Sequence, residues 1–534
     1  MCDDGIVTGS ELMTAVTEDD LGRVRELLHP GVDLNPAQGT TPLHEAAVHG
    51  NGDMIRLLLE FGADPNLPGR GENEGLPLSA AACRNHDEAV QALLDGGANP
   101  DAAEDGGWTA LLWAASLGHL AATDVLLDGG ADPDAGCPRT PLTAAARFGA
   151  FGIVWSLLEH GADPAKPDES GATALEIARK LAGADLEAIL IHQATHGADA
   201  DLVTAGQEAP KPTASAGEAA TTTNVAATTA ATGAGADAAD VVVVVGRSHA
   251  ADGTELVEVT AGEARVAAQR GHAAVATILE DALGVRASIA ELVTRATPYR
   301  DRDAGGETWW AAVRSAQNRR DAETFGAAVE LCASSDPLTR DFGVNVLSQF
   351  GFTADDRPYL ERALPVLQRL AEREQDPRVV ESVLSALGQQ RDPRALPEVL
   401  AIVGRPGRVC TASDPIALSA VLPPAHAEGV ATLIALSRDP SAEVRDYATA
   451  GLAALDHDDQ GIREALAARI ADTDLGTAAE AAAGLAARGD RRAIQAIHRV
   501  LSETDPDDPD DDYSRDLVLT AARQLDLDLP DLTH

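Results

Sequence analysis

Apolar residues in the first 200 positions come in short bursts separated by polar loops, each burst long enough for about two turns of helix. In one stretch, Leu111, Leu112, Ala114 and Ala115 mark a first helix, and Ala122, Val125, Leu126 and Leu127 form the apolar stripe of a second. Gly118-His119 turns the chain between them. Thr109 is placed to accept a bond from an orphan amide at the first helix start. Gly129-Gly130 is placed to end the second helix, where glycine tolerates left-handed backbone. Ala131-Asp132-Pro133-Asp134 then forms a loop. The same order recurs from Thr41-Pro42-Leu43, Leu76-Pro77-Leu78, Thr109-Ala110-Leu111, Thr140-Pro141-Leu142 and Thr173-Ala174-Leu175, at steps of 35, 33, 31 and 33 residues. A period near 33 marks a stacked repeat, in which each copy buries its apolar face against its neighbours.

A second marker keeps the step: Gly62-Ala63-Asp64, Gly97-Ala98-Asn99, Gly130-Ala131-Asp132, Gly161-Ala162-Asp163 and Gly197-Ala198-Asp199. Thr41-Pro42-Leu43-His44-Glu45-Ala46-Ala47, the following Gly-His and the closing Gly-Ala-Asp resemble ankyrin repeats. Ser79, Leu112, Thr143 and Glu176 depart from the family's histidine. Residues 11–38 read as a degenerate N-terminal cap. The resemblance covers about 1–202 and implies a protein-binding array whose partner meets a concave face of loop tips and first helices. On this chain those positions are Trp108, Trp113, Glu45, Arg139, Arg147 and Phe148. Aromatic and arginine side chains are favoured interface anchors. Trp113 packing on the adjacent copy is the competing structural reading.

Residues 203–240 are rich in Ala, Thr and Gly with few large apolar side chains, the composition of a flexible linker. Val241–Val245 and Leu256-Val257-Glu258-Val259 then predict a β-hairpin. Gly271-His272 followed by Val275, Ile278 and Leu279 resembles half of one more, damaged ankyrin copy, which closes a 241–285 segment. Residues 286–304 are a connector. From 305 to 534 the rhythm changes. Asp336-Pro337, Asp376-Pro377, Asp414-Pro415 and Asp439-Pro440 each precede an apolar helical stretch, with Asp and Pro suited to cap and first turn. Arg445 is placed to reach an aspartate in an adjacent copy. This part resembles HEAT repeats. The fold class expected is therefore all-α: two α-solenoid arrays with a small inserted β-hairpin.

Composition narrows the function. Hydrophobic residues make up 45% of the 534 and aromatics only 3%, which suits thin helical layers. Net charge is −44, so nucleic acid and anionic membranes are expected to be repelled and a basic protein partner to be attracted. Three lysines among 41 basic residues, with abundant Ala and Gly, suggest a GC-rich bacterial source of actinobacterial type. The five cysteines are scattered, without metal or disulfide spacing, and no leader or long apolar run is present, which reads as cytoplasmic.

Candidate chemistry is sparse. His192 and His196 have metal-ligand spacing but no third ligand, and Asp505–Asp512 lacks the Gly and Glu of a calcium loop. Gly233 and Gly235 precede the valine strand, whereas a dinucleotide site needs glycines after it. Arg295, Arg300, Arg302, Arg314, Arg319 and Arg320 with Trp309 and Trp310 form a basic, aromatic patch, read as packing at the start of the second array, at least one Trp buried. No catalytic, cofactor or metal residues are assigned. The expectation is a non-catalytic, cofactor-free adaptor, monomeric, binding a protein partner. The alternatives are an immunity-like binder of a basic toxin and a lyase-like HEAT scaffold that assists modification of a bound protein.

Overall fold

A computed structural model describes residues 4–29, 32–36, 39–69, 75–196, 224–231, 240–301, 303–304, 306, 307–350, 359–505, 508 and 511–527. The chain divides into two units, Met1–Ser315 and Ala316–His534.

In the first unit, a leading helix pair, Asp4–Thr17 and Leu21–Leu27, is followed by four pairs: Pro42–His49 with Gly52–Glu60, Pro77–Ala82 with Asp87–Asp95, Ala110–Leu117 with Leu120–Asp128, and Pro141–Phe148 with Phe151–Glu159. First helices stack on first helices and second on second. The threonine rhythm has the predicted cause. Thr41, Thr109, Thr140 and Thr173 each accept the amide three residues on, from His44, Leu112, Thr143 and Glu176. Leu76 has no such side chain, and its own amide donates instead to Glu104 Oε1 at 2.7 Å.

The Gly-Ala-Asp rhythm also acquires a mechanism. The third residue of each marker donates its amide to an Asn or Asp of the preceding loop: Asp64 to Asn35 (2.7 Å), Asn99 to Asn66 (2.8 Å), Asp132 to Asp101 (2.7 Å) and Asp163 to Asp134 (3.2 Å). Asn35 and Asn66 also donate to the carbonyls of Gly62 and Gly97. The acceptor sits two residues past its own marker in Asp64-Pro65-Asn66, Asn99-Pro100-Asp101 and Asp132-Pro133-Asp134. In Asp163-Pro164-Ala165 that place is alanine, so the ladder has no acceptor to offer a fifth copy. Gly197-Ala198-Asp199 lies outside the described residues.

The fifth copy is discontinuous. Its first helix, Ala174–Ala182, stacks on Pro141–Phe148, but the next helix, Leu186–His196, packs on a β-sheet. The second-helix position beside Phe151–Glu159 and against Ala174–Ala182 is filled by His272–Ala282. His272 Nε2 meets the Arg147 carbonyl at 3.0 Å, as His119 Nε2 meets the Cys83 carbonyl at 3.2 Å two copies earlier. The helix expected to belong to one further copy thus completes the fifth. Gly149 has φ +80°, and an added Cβ would overlap the Gln269 carbonyl, so glycine is required where the returning strand docks.

The insert is larger than a hairpin. Strands Asn224–Ala231, Asp240–His249, Glu255–Ala261 and Ala264–Gln269 form an antiparallel meander in sequence order. Asn224–Ala231, in the stretch read as flexible linker, pairs along Asp240–His249. Backbone pairing at an edge needs no large side chain, which is why the composition misled. Residues 203–223 and 232–239 lie outside the described residues. Val243, Val245, Val257 and Val259 are buried, alternating with more open neighbours in the period-two pattern of a sheet covered on one side. Trp309 is fully buried, with the Arg300 guanidinium 4.8 Å from its ring, and it belongs to the first unit rather than opening the second.

The second unit is a solenoid-like stack in two rows. Pro337–Gln349, Pro377–Gln390, Ser413–Val421, Ala442–Ala453, Leu475–Ala487 and Asp512–Gln524 pack in succession, each with a shorter or equal partner in the other row. Asp336 and Asp376 cap their helices as read from the sequence. Asp414 does not. It lies inside the first turn of its helix, buried, and pairs with Arg408. Arg445 reaches Asp472 through two bonds of 2.8 and 2.9 Å, and Arg340 pairs with Glu374 in the same way.

Candidate protein-binding face

The first helices and loop tips of the first unit carry the residues singled out in the sequence. Trp108 stands before its helix-capping threonine and Trp113 four residues after it. The local turn closes them into a stacked pair, centroids 4.2 Å apart and planes at 29°. Both are half-buried. Trp113 Nε1 donates to Glu104 Oε2 at 2.9 Å, while the other Glu104 oxygen holds the Leu76 amide. Glu104 therefore locks the tryptophans and ties this copy to the one before it. With the Trp113 N–H bonded to Glu104, the stacked pair offers apolar ring surface at low entropic cost.

The remaining positions differ. Glu45 holds in the first copy the place of Trp113, its side chain 15% exposed and close to His49. Arg139 is half-buried. Arg147 is engaged in a structural ion pair, 3.0 Å from Asp168, with both side chains largely buried. Phe148 is 4% exposed and packs against Gly118, which removes it from any binding face. At the end of its helix the ring turns inward onto Gly118 of the preceding copy. The structure thus brings together Trp108 and Trp113 and gives Arg147 and Phe148 to the scaffold.

Sequence reading missed Glu104 and Asp168. Asp168 accepts the amides of Ser170 and Ala172 and the Ser170 hydroxyl. Burial works to raise its carboxyl, but the bonds from Ser170, Arg147 and Ala172 outweigh it and hold Asp168 below the usual range. The Asp168-Glu169-Ser170-Gly171 turn signal was available for this residue. Nothing in the sequence marked Glu104. Nearby, Cys137 Sγ donates to Glu169 Oε1 at 2.8 Å, and that bond raises the thiol. His192 and His196 stack at 4.6 Å, and no three metal-ligating side chains converge among the described residues. Parts of Asp505–Asp512 lie outside the described residues. Of the arginine patch, Arg295 pairs with Glu280 and Arg314 with Glu307.

Family models for ankyrin repeats match residues 38–70, 68–137 (three copies) and 139–169. The N-terminal region is made of ankyrin repeats. Curated relatives include the 2-5A-dependent ribonuclease of mouse (Mus musculus), 41% identical over 75 residues, or 14% of this chain and 10% of that protein. Potassium channel AKT1 of rice (Oryza sativa) is 39% identical over 83 residues, 15% of this chain and 9% of that protein. The chain thus spans about a tenth of the length of these relatives. Among solved structures, the human ASB11 ankyrin repeat domain is similar at 30% identity, covering 31% of this chain and 75% of that one with a TM-score of 0.29. Ankyrin repeats are generally protein–protein interaction modules. No helix among the described residues is long and apolar enough to cross a membrane.

Proposed function

We propose that this protein is a non-catalytic adaptor that holds a protein partner on the first-helix and loop face of its ankyrin repeats. The stacked, Glu104-locked pair of Trp108 and Trp113 carries this reading. It is a rigid aromatic anchor on the face such repeats use, with the Trp113 donor already bonded to Glu104. The second unit, which resembles HEAT repeats, supplies a further helical surface. The acidic chain, at net charge −44, favours a basic partner, in the manner of an immunity protein, in a bacterial cytoplasm. The test replaces Trp108 and Trp113 by Ala together. Helical circular dichroism should persist, while proteins recovered on the wild-type chain from its source lysate should be lost. Unchanged recovery with an intact fold excludes this face.

A further inference from the structure

A second surface lies on the other helices of the same repeats. Helices Leu120–Asp128 and Phe151–Glu159, with Asp252, Glu307 and Arg314, enclose a groove of about 740 Å³ within the first unit. Its floor carries Trp155, which is 44% exposed, tilted on Phe151 at 6.3 Å. Asp124 holds the equivalent helix position one copy earlier, five residues after the cap, so the tryptophan is not imposed by the repeat. Carboxylates line the same groove. Asp124 and Asp128 each use one oxygen, toward Ser156 Oγ (2.6 Å) and His160 Nε2 (3.4 Å). Glu159 and Glu307 complete an acidic wall.

The chain already lays one cation here. The Arg314 guanidinium sits 5.9 Å from the Trp155 centroid, at the edge of cation–π range, and 3.7 Å from Glu307. That group is half exposed and held by one long ion pair, so its displacement costs little. An exposed aromatic face in a groove lined by carboxylates is complementary to a guanidinium or ammonium head. We propose that this groove binds an arginine- or lysine-bearing peptide segment, whose cationic head takes the place of Arg314 over Trp155. The assignment is independent of the Trp108–Trp113 face.

The experiment measures anisotropy of a fluorescent twelve-residue peptide of alternating Arg and Ser against the full chain at fixed salt, with a Glu-Ser peptide as control. Trp155→Ala should weaken binding about fivefold and Trp155→Phe about twofold at most. Asp124→Asn with Glu159→Gln should weaken it about tenfold, and Arg314→Gln should tighten it. Glu428→Gln with Glu443→Gln removes the same charge at exposed positions elsewhere and should change it less than about twofold. The Trp108→Ala, Trp113→Ala variant should bind the peptide like wild type, which separates this site from the other face. Three results overturn the proposal: binding unaltered by Trp155→Ala, an equal loss in the Glu428/Glu443 control, or binding of the Glu-Ser peptide as tight as the Arg-Ser one. Circular dichroism confirms the fold of each variant.

Discussion

Arg179 Nη2 lies 2.7 Å from Glu280 Oε1, although 101 residues separate the two in sequence. Arg295 bonds the same carboxylate at 2.6 and 2.9 Å, and the Glu280 side chain is 1% exposed. The ion pair fastens the first helix of the fifth repeat to its distant second helix. Removing the buried carboxylate strands two arginines, whereas truncating the half-exposed Arg179 leaves Glu280 still paired. Glu280→Ala should therefore cost about 3 kcal/mol and Arg179→Ala about 1 kcal/mol, read from urea unfolding midpoints.

Gly149 and Gly62 both have positive φ, but only the former faces backbone. Gly149→Ala should destabilise by more than about 2 kcal/mol because the new Cβ overlaps the Gln269 carbonyl, while Gly62→Ala, which meets open space, should cost about 1 kcal/mol. Equal costs at the two sites would show that the returning strand does not dock against Gly149.

Burial holds His272 down to about 4, against the opposing bond to the Arg147 carbonyl. Burial likewise lowers His44 and His119 to about 4. A histidine with a lowered folded pKa binds its proton more readily when unfolded. Its contribution to stability is full above about pH 6.5 and declines as pH falls toward 4, by roughly 3 kcal/mol at most per residue. His272→Gln should flatten the pH dependence of the unfolding midpoint over that window, with the variant and wild type converging as pH drops.

Asn66 bridges two loops by accepting the Asn99 amide and donating to the Gly97 carbonyl. Asn66→Ala should lower stability by about 1–2 kcal/mol. Hydrogen exchange should rise first at Asn99, since its amide loses its acceptor.

The ladder of Thr caps and Gly-Ala-Asp loops was legible because each copy repeats a local requirement: an orphan amide to cap, a left-handed residue to end a helix. That Arg445 reaches an aspartate of an adjacent copy was legible, but that the partner is Asp472 was not. The stretch from 203 to 282 was not. Local propensity announced strands at Val241 and Leu256 but could not say that helix His272–Ala282 belongs with Ala174–Ala182, because that pairing is a non-local fact carried by His272, Gly149 and Glu280. Phe148 was misassigned for a related reason: its slot looks variable in sequence, yet Gly118 of the neighbouring copy leaves room for its ring to turn inward. Glu104 was invisible because its two acceptor roles exist only once Leu76 and Trp113 have been stacked.

A repeat split in this way sets an order of assembly. On the ribosome, the four continuous copies emerge and can stack while about a hundred residues remain to be made before Ala282. At ordinary translation speeds that interval is about 5–20 s. For that time the apolar flank of Ala174–Ala182 has no native cover, a window in which a chaperone or a neighbouring nascent chain competes with the molecule's own second helix.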